Sequence, residues 1–380
     1  MSVDPGPVPP PDLSGGGAAA AVAALRRTAY LKERLNEPGR RAAAFRAAAG
    51  ALLTVGPAEV ERLARQDRLT DLPRVGDRTA GVAAAAVRGL VHPYLIDAEA
   101  AAAAPLVEGG GGATVRAALR GDLHSHSEWS DGSVPVPEMA VAALALGHDY
   151  LAMTDHSPRL TVARGLTAER LRQQLDLVGS LNAALAEQGA GIRVLTGIEV
   201  DILEDGSLDQ DPDLLDRLDV VVASVHSKLA MDSAAMTRRM LAAVANPHTD
   251  VLGHCTGRLL GGRQADSPGA SRGSKAREES RFDAAAVFAT CAEHGVAVEI
   301  NSRPERLDPP MRLLELARGA GCVFSIDTDA HAPGQLEWQW FGCARAEQAG
   351  IDPDQIMNTW SADRLLTWTA RPRQGAGRAS

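Results

Sequence analysis

From residue 119 onward, short apolar runs alternate with longer stretches in which apolar residues recur at helical spacing. In residues 136–146 and 168–185, for example, apolar side chains return every three or four positions. This alternation is typical of strands joined by crossover helices and predicts a parallel sheet. Seven runs within about 250 residues fit a closed β/α barrel as readily as an open sheet. The runs lie at residues 121–123, 150–154, 193–198, 220–225, 250–253, 296–300 and 322–326.

The chain before the barrel has a different composition. Pro, Gly and Ala dominate its first 22 residues, which bury too little apolar surface to offset the entropy of ordering. The next segment has helical spacing of its large apolar residues, punctuated by Pro38 and Pro57. An Ala run followed by glycines at 109–112 predicts a flexible linker. The expected segments are a disordered arm (1–22), a small all-α domain (23–98), a linker (99–118), a barrel (119–372) with a mobile loop (261–281), and a tail (373–380).

Composition excludes several classes of protein. The formal net charge of −9 argues against a protein that coats nucleic acid non-specifically. Four cysteines without CxxC spacing predict neither a disulfide framework nor a thiolate zinc site, and they favour a reducing cytoplasm. No apolar run reaches the roughly 18 residues of a membrane span, and the start of the chain lacks the basic residues of a secretory signal.

Side chains of metal-binding types follow the carboxyl ends of the predicted strands. These ends converge on one face of a β/α barrel. His124 and His126 are two residues apart, so in an extended chain both point the same way, and Asp329 and His331 repeat this spacing. Six of the ten histidines fall at such ends, together with three carboxylates. The candidate ligands are His124, His126, Asp131, His156, Glu199, His226, His254, Asp329 and His331.

Nine donors exceed the roughly four to six positions that one ion offers, so we expect two or three divalent ions. The set contains no cysteine, which argues against a soft site. Imidazole with carboxylate suits Zn²⁺, Mn²⁺ or Fe²⁺, and the sequence does not choose among them.

The motifs that carry these residues resemble those of the PHP (polymerase and histidinol phosphatase) family. They lie at residues 122–132, 154–157, 197–201, 224–228, 253–254 and 328–331. The resemblance extends from residue 119 to about 370. It implies a distorted seven-stranded (β/α) barrel with a trinuclear metal site, and it implies that the nine candidates are the ligands.

Three further segments resemble the C-terminal PHP domain of bacterial X-family DNA polymerases, namely residues 200–208, 252–260 and 299–308. Residues 69–80 resemble the first helix–hairpin–helix element of those proteins. Arg74 replaces the first glycine of the hairpin, and Asp77 stands where a basic residue is usual. We therefore expect only weak DNA contact through residues 24–95. No paired Asp-x-Asp follows a Gly-Ser turn, so the polymerase palm, and polymerase activity with it, is expected to be absent.

Clustered divalent ions suit hydrolysis of a phosphate ester, because they activate a bound water and neutralise charge on the phosphoryl oxygens. Glu199 follows the central strand and is predicted to bridge two ions. Lys228, Arg258 and Arg306 are predicted to lie on loops of the same rim and to contact the substrate phosphate.

Three functions remain open. The first is a metal-dependent phosphoesterase acting on a phosphorylated small molecule. The second is a DNA 3′–5′ exonuclease or abasic-site endonuclease of DNA repair, acting on a DNA end, as the X-family resemblance implies. The third is a catalytically silent scaffold, against which the full ligand set argues. The acidic charge and the missing palm favour the phosphoesterase, whereas the helix–hairpin–helix-like segment favours the nuclease.

Overall fold

The computed structural model describes residues 8–261 and 276–370. The chain forms two compact units that divide between Leu106 and Val107. Most of the predicted mobile loop (261–281), the predicted tail (373–380) and the first seven residues of the predicted arm lie outside the described residues.

The N-terminal unit is all-helical, as predicted. Its helices are α1 (Gly17–Arg34), α2 (Gly39–Val55), α3 (Pro57–Arg65), α4 (Asp77–Val87) and α5 (Pro93–Ala102). Leu25, Phe45 and Leu52 form part of a core that lies entirely within this unit. Helix α1 begins inside the segment expected to be a disordered arm, and Ala18 and Ala21 are buried in the same core. Alanine has a small side chain and the best helix propensity, so an Ala-rich segment can order by packing its backbone closely against neighbouring helices.

Residues 69–80, which resemble a helix–hairpin–helix element, form the hairpin-like segment. It consists of a 3₁₀ turn (Leu69–Asp71) followed by the start of α4. Arg74 has a φ of 66°. This left-handed conformation favours glycine, since a side chain at Cβ is strained there. The backbone conformation expected of the hairpin glycine is therefore kept, although an arginine occupies the position.

The second unit contains seven parallel strands in sequential order, which confirms the predicted barrel. They are β1 (Gly121–Ser125), β2 (Tyr150–Met153), β3 (Arg193–Asp201), β4 (Val220–Ser224), β5 (Val251–Leu252), β6 (Ala297–Asn301) and β7 (Phe324–Asp327). The first and last strands meet, because the backbone N–H of Leu123 donates to Asp327 Oδ1 at 2.9 Å. A parallel bridge joins Ser125 to Ala330 just beyond β7. The barrel is thus nearly closed.

The strands are buried on both faces, as expected when helices surround a parallel sheet. Val222 packs in one cluster with Leu195, whereas its neighbour Val221 packs in another with Met240 and Phe288. The helices of this unit are α6 (Ala113–Ala118), α7 (Val136–Ala145), α8 (Ala168–Glu187), α9 (Pro212–Leu215), α10 (Ser233–Val244), α11 (Ala284–His294), α12 (Met311–Gly319), α13 (Gln339–Gln348) and α14 (Ala362–Thr369). In the described residues, no helix is long and apolar enough to cross a membrane.

The predicted linker (99–118) is only partly irregular. Its beginning completes α5, and its end forms α6, which packs against α13. The carboxylate of Glu347 accepts the backbone N–H groups of Gly112 and Thr114 at 2.6 and 3.0 Å, and Val115 is buried. These contacts hold the end of the segment against the barrel unit. Its Ala- and Gly-rich composition does not predict them, because they depend on residues far away in the sequence.

Candidate metal centre

The carboxyl ends of six strands bring the nine predicted donors together. His124 is on β1, with His126 one residue beyond it, and Glu199 is on β3. His156, His226 and His254 follow β2, β4 and β5, and the pair Asp329 and His331 follows β7. Each strand exposes its last residues at the same end of the barrel, because all seven run parallel.

Glu199 lies at the middle of the cluster. Its Oε1 is 2.8 Å from His254 Nε2 and 3.1 Å from His226 Nε2. Its Oε2 is 2.8 Å from His156 Nδ1 and 3.3 Å from His124 Nε2. Each oxygen of one buried carboxylate therefore faces imidazoles from two other strands, which is the arrangement expected of a bridging ligand.

Two further carboxylates belong to the cluster, the partly exposed Asp131 and the buried Asp329. Asp131 Oδ1 is 3.5 Å from His156 Nε2 and 3.3 Å from His331 Nε2. Asp329 Oδ1 is 3.5 Å from both His126 Nε2 and His331 Nδ1. The donor atoms in the described residues form three groups whose members lie within 4.8 Å of one another. The groups are His126, Asp131, His156 and His331; His124, His126 and Asp329; and His156, Glu199 and His226.

The donors fit divalent metal ions. Among the described residues, buried atoms without a hydrogen-bond partner include His124 Nε2, both ring nitrogens of His126, and Glu199 Oε2. Such atoms cost free energy when they are left unsatisfied. Imidazole nitrogens and carboxylate oxygens are donors that first-row divalent ions accept. His254 lies outside the three groups but contacts Glu199 directly.

The carboxylates of the cluster are ionised. Burial alone would raise the pKa of Glu199, but the charges of His226 and His124 outweigh burial and hold that pKa well below its usual range. For Asp329, burial is likewise outweighed, chiefly by the Arg303 guanidinium, and the pKa lies well below its ordinary value. Both side chains therefore present full negative charge to a cation at neutral pH.

Sequence reasoning missed a layer of buried carboxylates behind the donors. Asp201 lies 3.6 Å from His226 Nδ1 and accepts the backbone N–H of the same residue. Asp155 accepts the backbone N–H of Ser127 at 2.9 Å. Glu299, on β6, is also buried in the cluster. Asp155 and Asp201 could have been found from their spacing, one and two residues from predicted ligands, whereas Glu299 has no such signal.

The structure treats the predicted phosphate-binding cations differently. Arg258 Nε donates to the backbone oxygen of Arg306 at 2.9 Å, and its Nη2 donates to that of Leu307. Arg258 is thus placed behind the loop at 303–308 rather than at the donor cluster. Lys228 is exposed, two residues beyond His226, and forms no ion pair within the described residues.

Two other guanidinium groups do reach the cluster. Arg306 Nε lies 3.2 Å from Asp329 Oδ2. Arg303, which sequence reasoning did not select, has its Nη1 3.4 Å from Asp329 Oδ1 and 3.1 Å from His331 Nδ1. Both arginines belong to the loop that follows β6, and only the fold of that loop turns them toward β7.

The chain thus has a nearly closed parallel β/α barrel. The carboxyl ends of its strands carry a cluster of histidines and carboxylates that could hold metal ions. Residues 122–303 match the PHP domain family. The matched residues include most of the motifs that carry the resemblance in the sequence, so the match supports that resemblance.

Two relatives illustrate the resemblance. The chain is 37% identical over 243 residues to the DNA polymerase/3′-5′ exonuclease PolX of Bacillus subtilis (strain 168). The aligned segment covers 64% of this chain and 40% of PolX. It is 26% identical over 249 residues to a probable phosphatase of Thermoanaerobacter sp. (strain X514). That aligned segment covers 63% of this chain and 89% of the phosphatase. The chain thus spans well under two thirds of the length of PolX.

Among solved structures, the fold is similar to the histidinol phosphate phosphatase of Lactococcus lactis subsp. lactis Il1403, complexed with zinc, L-histidinol and phosphate. The TM-score is 0.40 at 19% identity, with 62% of this chain and 95% of that chain covered.

Proposed function

We propose that the chain is a hydrolase of phosphate esters that works with two or three divalent metal ions. The observation that carries this proposal is the position of Glu199, whose two oxygens each face imidazoles from two other strands. When bound, divalent ions polarise phosphoryl oxygens and lower the pKa of a coordinated water toward about 7. The residues that would hold them are His124, His126, Asp131, His156, Glu199, His226, His254, Asp329 and His331.

The chain's own side chains suit a phosphate substrate at this centre. Asp131 and His331 are the most exposed of the nine donors, at 37% and 19% of their side chains, so we propose that the substrate approaches from their side. Arg303 and Arg306 lie next to Asp329 and offer guanidinium N–H groups that match phosphoryl oxygens in geometry and charge. We propose that Arg306, and with it Arg303, orients the phosphoryl group.

A hydrolysis assay on the full chain tests the proposal. The metal-free protein is supplied in turn with Mn²⁺, Zn²⁺ and Fe²⁺ and offered a panel of phosphomonoesters. We expect turnover that depends on metal, that a chelator abolishes, and that Glu199→Gln removes. Glu204→Gln is the matched control, since Glu204 is an exposed carboxylate just beyond the same strand. Tight metal binding without hydrolysis of any ester would instead favour a catalytically silent scaffold.

A nuclease is the second candidate. It is supported by the 37% identity to PolX and by the hairpin-like segment, in which Arg74 keeps a left-handed backbone. The same assay therefore includes labelled single-stranded DNA and abasic duplex DNA beside the monoesters. Release of nucleotides from 3′ ends, or cleavage at abasic sites, with no turnover of small esters would make DNA the substrate.

A further inference from the structure

Strand β6 carries none of the nine predicted ligands, yet its end lies within the donor cluster. Glu299 and Asn301 are two residues apart on this strand, and both are fully buried. Alternate residues of a strand point to the same face. The polar ends of both side chains consequently meet the ligands that neighbouring strands supply.

The carboxylate of Glu299 contacts two of the proposed ligands. Its Oε1 lies 2.6 Å from His124 Nδ1, and its Oε2 accepts the backbone N–H of His254 at 2.5 Å. His124 belongs to β1, whereas His254 follows β5. Because both oxygens are engaged, Glu299 is placed to hold ligands rather than to act as one.

This contact fixes which nitrogen of His124 is available. An imidazole that binds a cation through Nε2 keeps its one proton on Nδ1, and in His124 this Nδ1 faces Glu299 Oε1. The lone pair is then on Nε2, which is buried without a hydrogen-bond partner among the described residues and lies 3.3 Å from Glu199 Oε2. The ring thus presents its bare nitrogen to the centre.

Asn301 extends the contact toward β7. Its Nδ2 lies 3.2 Å from Glu299 Oε2 and 3.5 Å from Asp329 Oδ2. Its Oδ1 accepts the backbone N–H of Arg303 at 3.1 Å. One amide therefore connects the carboxylate of β6, a proposed ligand beyond β7, and the loop that carries the arginines.

We propose that Glu299 and Asn301 are positioning residues of the metal centre: Glu299 sets the tautomer and orientation of His124 and the backbone at His254, and Asn301 aligns Asp329 with them. This inference rests on the proposed metal-dependent function. Partners behind metal-binding histidines typically change metal affinity by about ten- to a hundredfold when they are altered.

The test measures metal affinity on the full chain, independently of catalysis. Metal-free wild type and Glu299→Gln are titrated with Mn²⁺ and Zn²⁺ in competition with a chromophoric chelator. Glutamine keeps the shape but turns an N–H donor toward either His124 or the backbone of His254, so we expect affinity to fall about ten- to a hundredfold. Asp219→Asn is the matched control: its carboxylate accepts two hydrogen bonds from Thr196 but contacts none of the nine donors.

A spectroscopic readout separates positioning from general stabilisation. In ¹⁵N imidazole spectra of the Zn²⁺-loaded chain, we expect the one proton of His124 on Nδ1 in wild type and a changed pattern of its ring-nitrogen signals in Glu299→Gln. Unchanged metal affinity in Glu299→Gln, with wild type binding metal, would overturn the inference. If that variant does not fold, Asn301→Ala decides: we expect a smaller but measurable loss of affinity, and none would refute the role. Wild type that binds no metal would instead refute the proposed function itself.

Discussion

The guanidinium of Arg258 is bonded to the backbone of Arg306, with Arg258 Nε 2.9 Å from the Arg306 carbonyl oxygen. Sequence alone assigns the two arginines the same role on the same rim. In the structure one of them holds the loop, and the other lies 3.2 Å from Asp329 at the donor cluster. Two residues of the same type that are expected on the same rim therefore do not have the same contacts here.

That difference predicts separate outcomes for two variants. Arg306→Ala removes a guanidinium at the proposed phosphate position, so kcat/KM for a phosphomonoester is expected to fall about ten- to a hundredfold with little change in thermal stability. Arg258→Ala leaves two backbone oxygens without their donor, so we expect a lower melting temperature of the metal-free chain together with reduced activity. Steady-state kinetics and thermal melts of both variants check this. Loss of activity in Arg258→Ala with an unchanged melting temperature would instead support direct contact of Arg258 with the substrate phosphate.

The metal content of the purified protein is expected to be at least two divalent ions per chain. Three donor groups that share His126 and His156 cannot all be satisfied by one ion. Elemental analysis of active wild type measures the number, and Glu199→Gln is expected to reduce it because an amide NH₂ replaces one of the two oxygens that face the imidazoles. An active protein with a single ion would contradict the multinuclear centre.

Acid stability is expected to depend on a histidine outside the metal centre. His148 is buried, and neither ring nitrogen has a hydrogen-bond partner among the described residues. Burial, with a smaller contribution from the charge of Arg116, lowers its pKa from 6.5 to about 3. The unfolded chain therefore binds a proton that the folded chain excludes as the pH falls below about 6.5. The stability that neutral His148 provides is complete above that pH and is lost toward pH 3.

The expected slope of this loss is about 1.4 kcal/mol per pH unit in the window between those two pKa values. Denaturant unfolding of metal-free wild type and His148→Leu at several pH values between 6 and 4 measures the difference between their slopes. Other titrating groups contribute to both chains and cancel in the comparison. Parallel curves for the two proteins would show that His148 is protonated in the folded state.

The barrel unit is expected to act on small esters without the N-terminal unit. The helical core that contains Leu25 and Leu52 draws only on residues before Leu106, and the barrel clusters draw only on residues after it. A fragment of residues 107–380 should therefore retain most of the activity on phosphomonoesters and lose any affinity of the full chain for DNA. A folded, metal-loaded fragment that is inactive on every monoester, beside a full chain that degrades DNA, would establish the nuclease instead.

The positions of the strands and of the nine donors could be predicted from the sequence alone. Each strand could be recognised because an apolar run is a short, local pattern. The donors could be grouped because the carboxyl ends of parallel barrel strands lie on one face, independently of the loop conformations. His124 and His126 could thus be assigned to one site, together with His331, although some 200 residues separate them along the chain. The ordered start of α1 escaped prediction because alanines carry little information about packing.

Only the tertiary structure decided which polar groups touch. The hydrogen bond between Glu299 and His124 joins β6 to β1, and the bond between Arg258 and Arg306 joins two loops 48 residues apart. Such pairings depend on side-chain rotamers and loop conformations to within a few tenths of an ångström, which no local pattern encodes. The sequence determined that a metal-binding rim would form, because residue type and strand order suffice for that. The fold determined which side chains of that rim contact one another, such as Glu299 with His124 and Arg306 with Asp329.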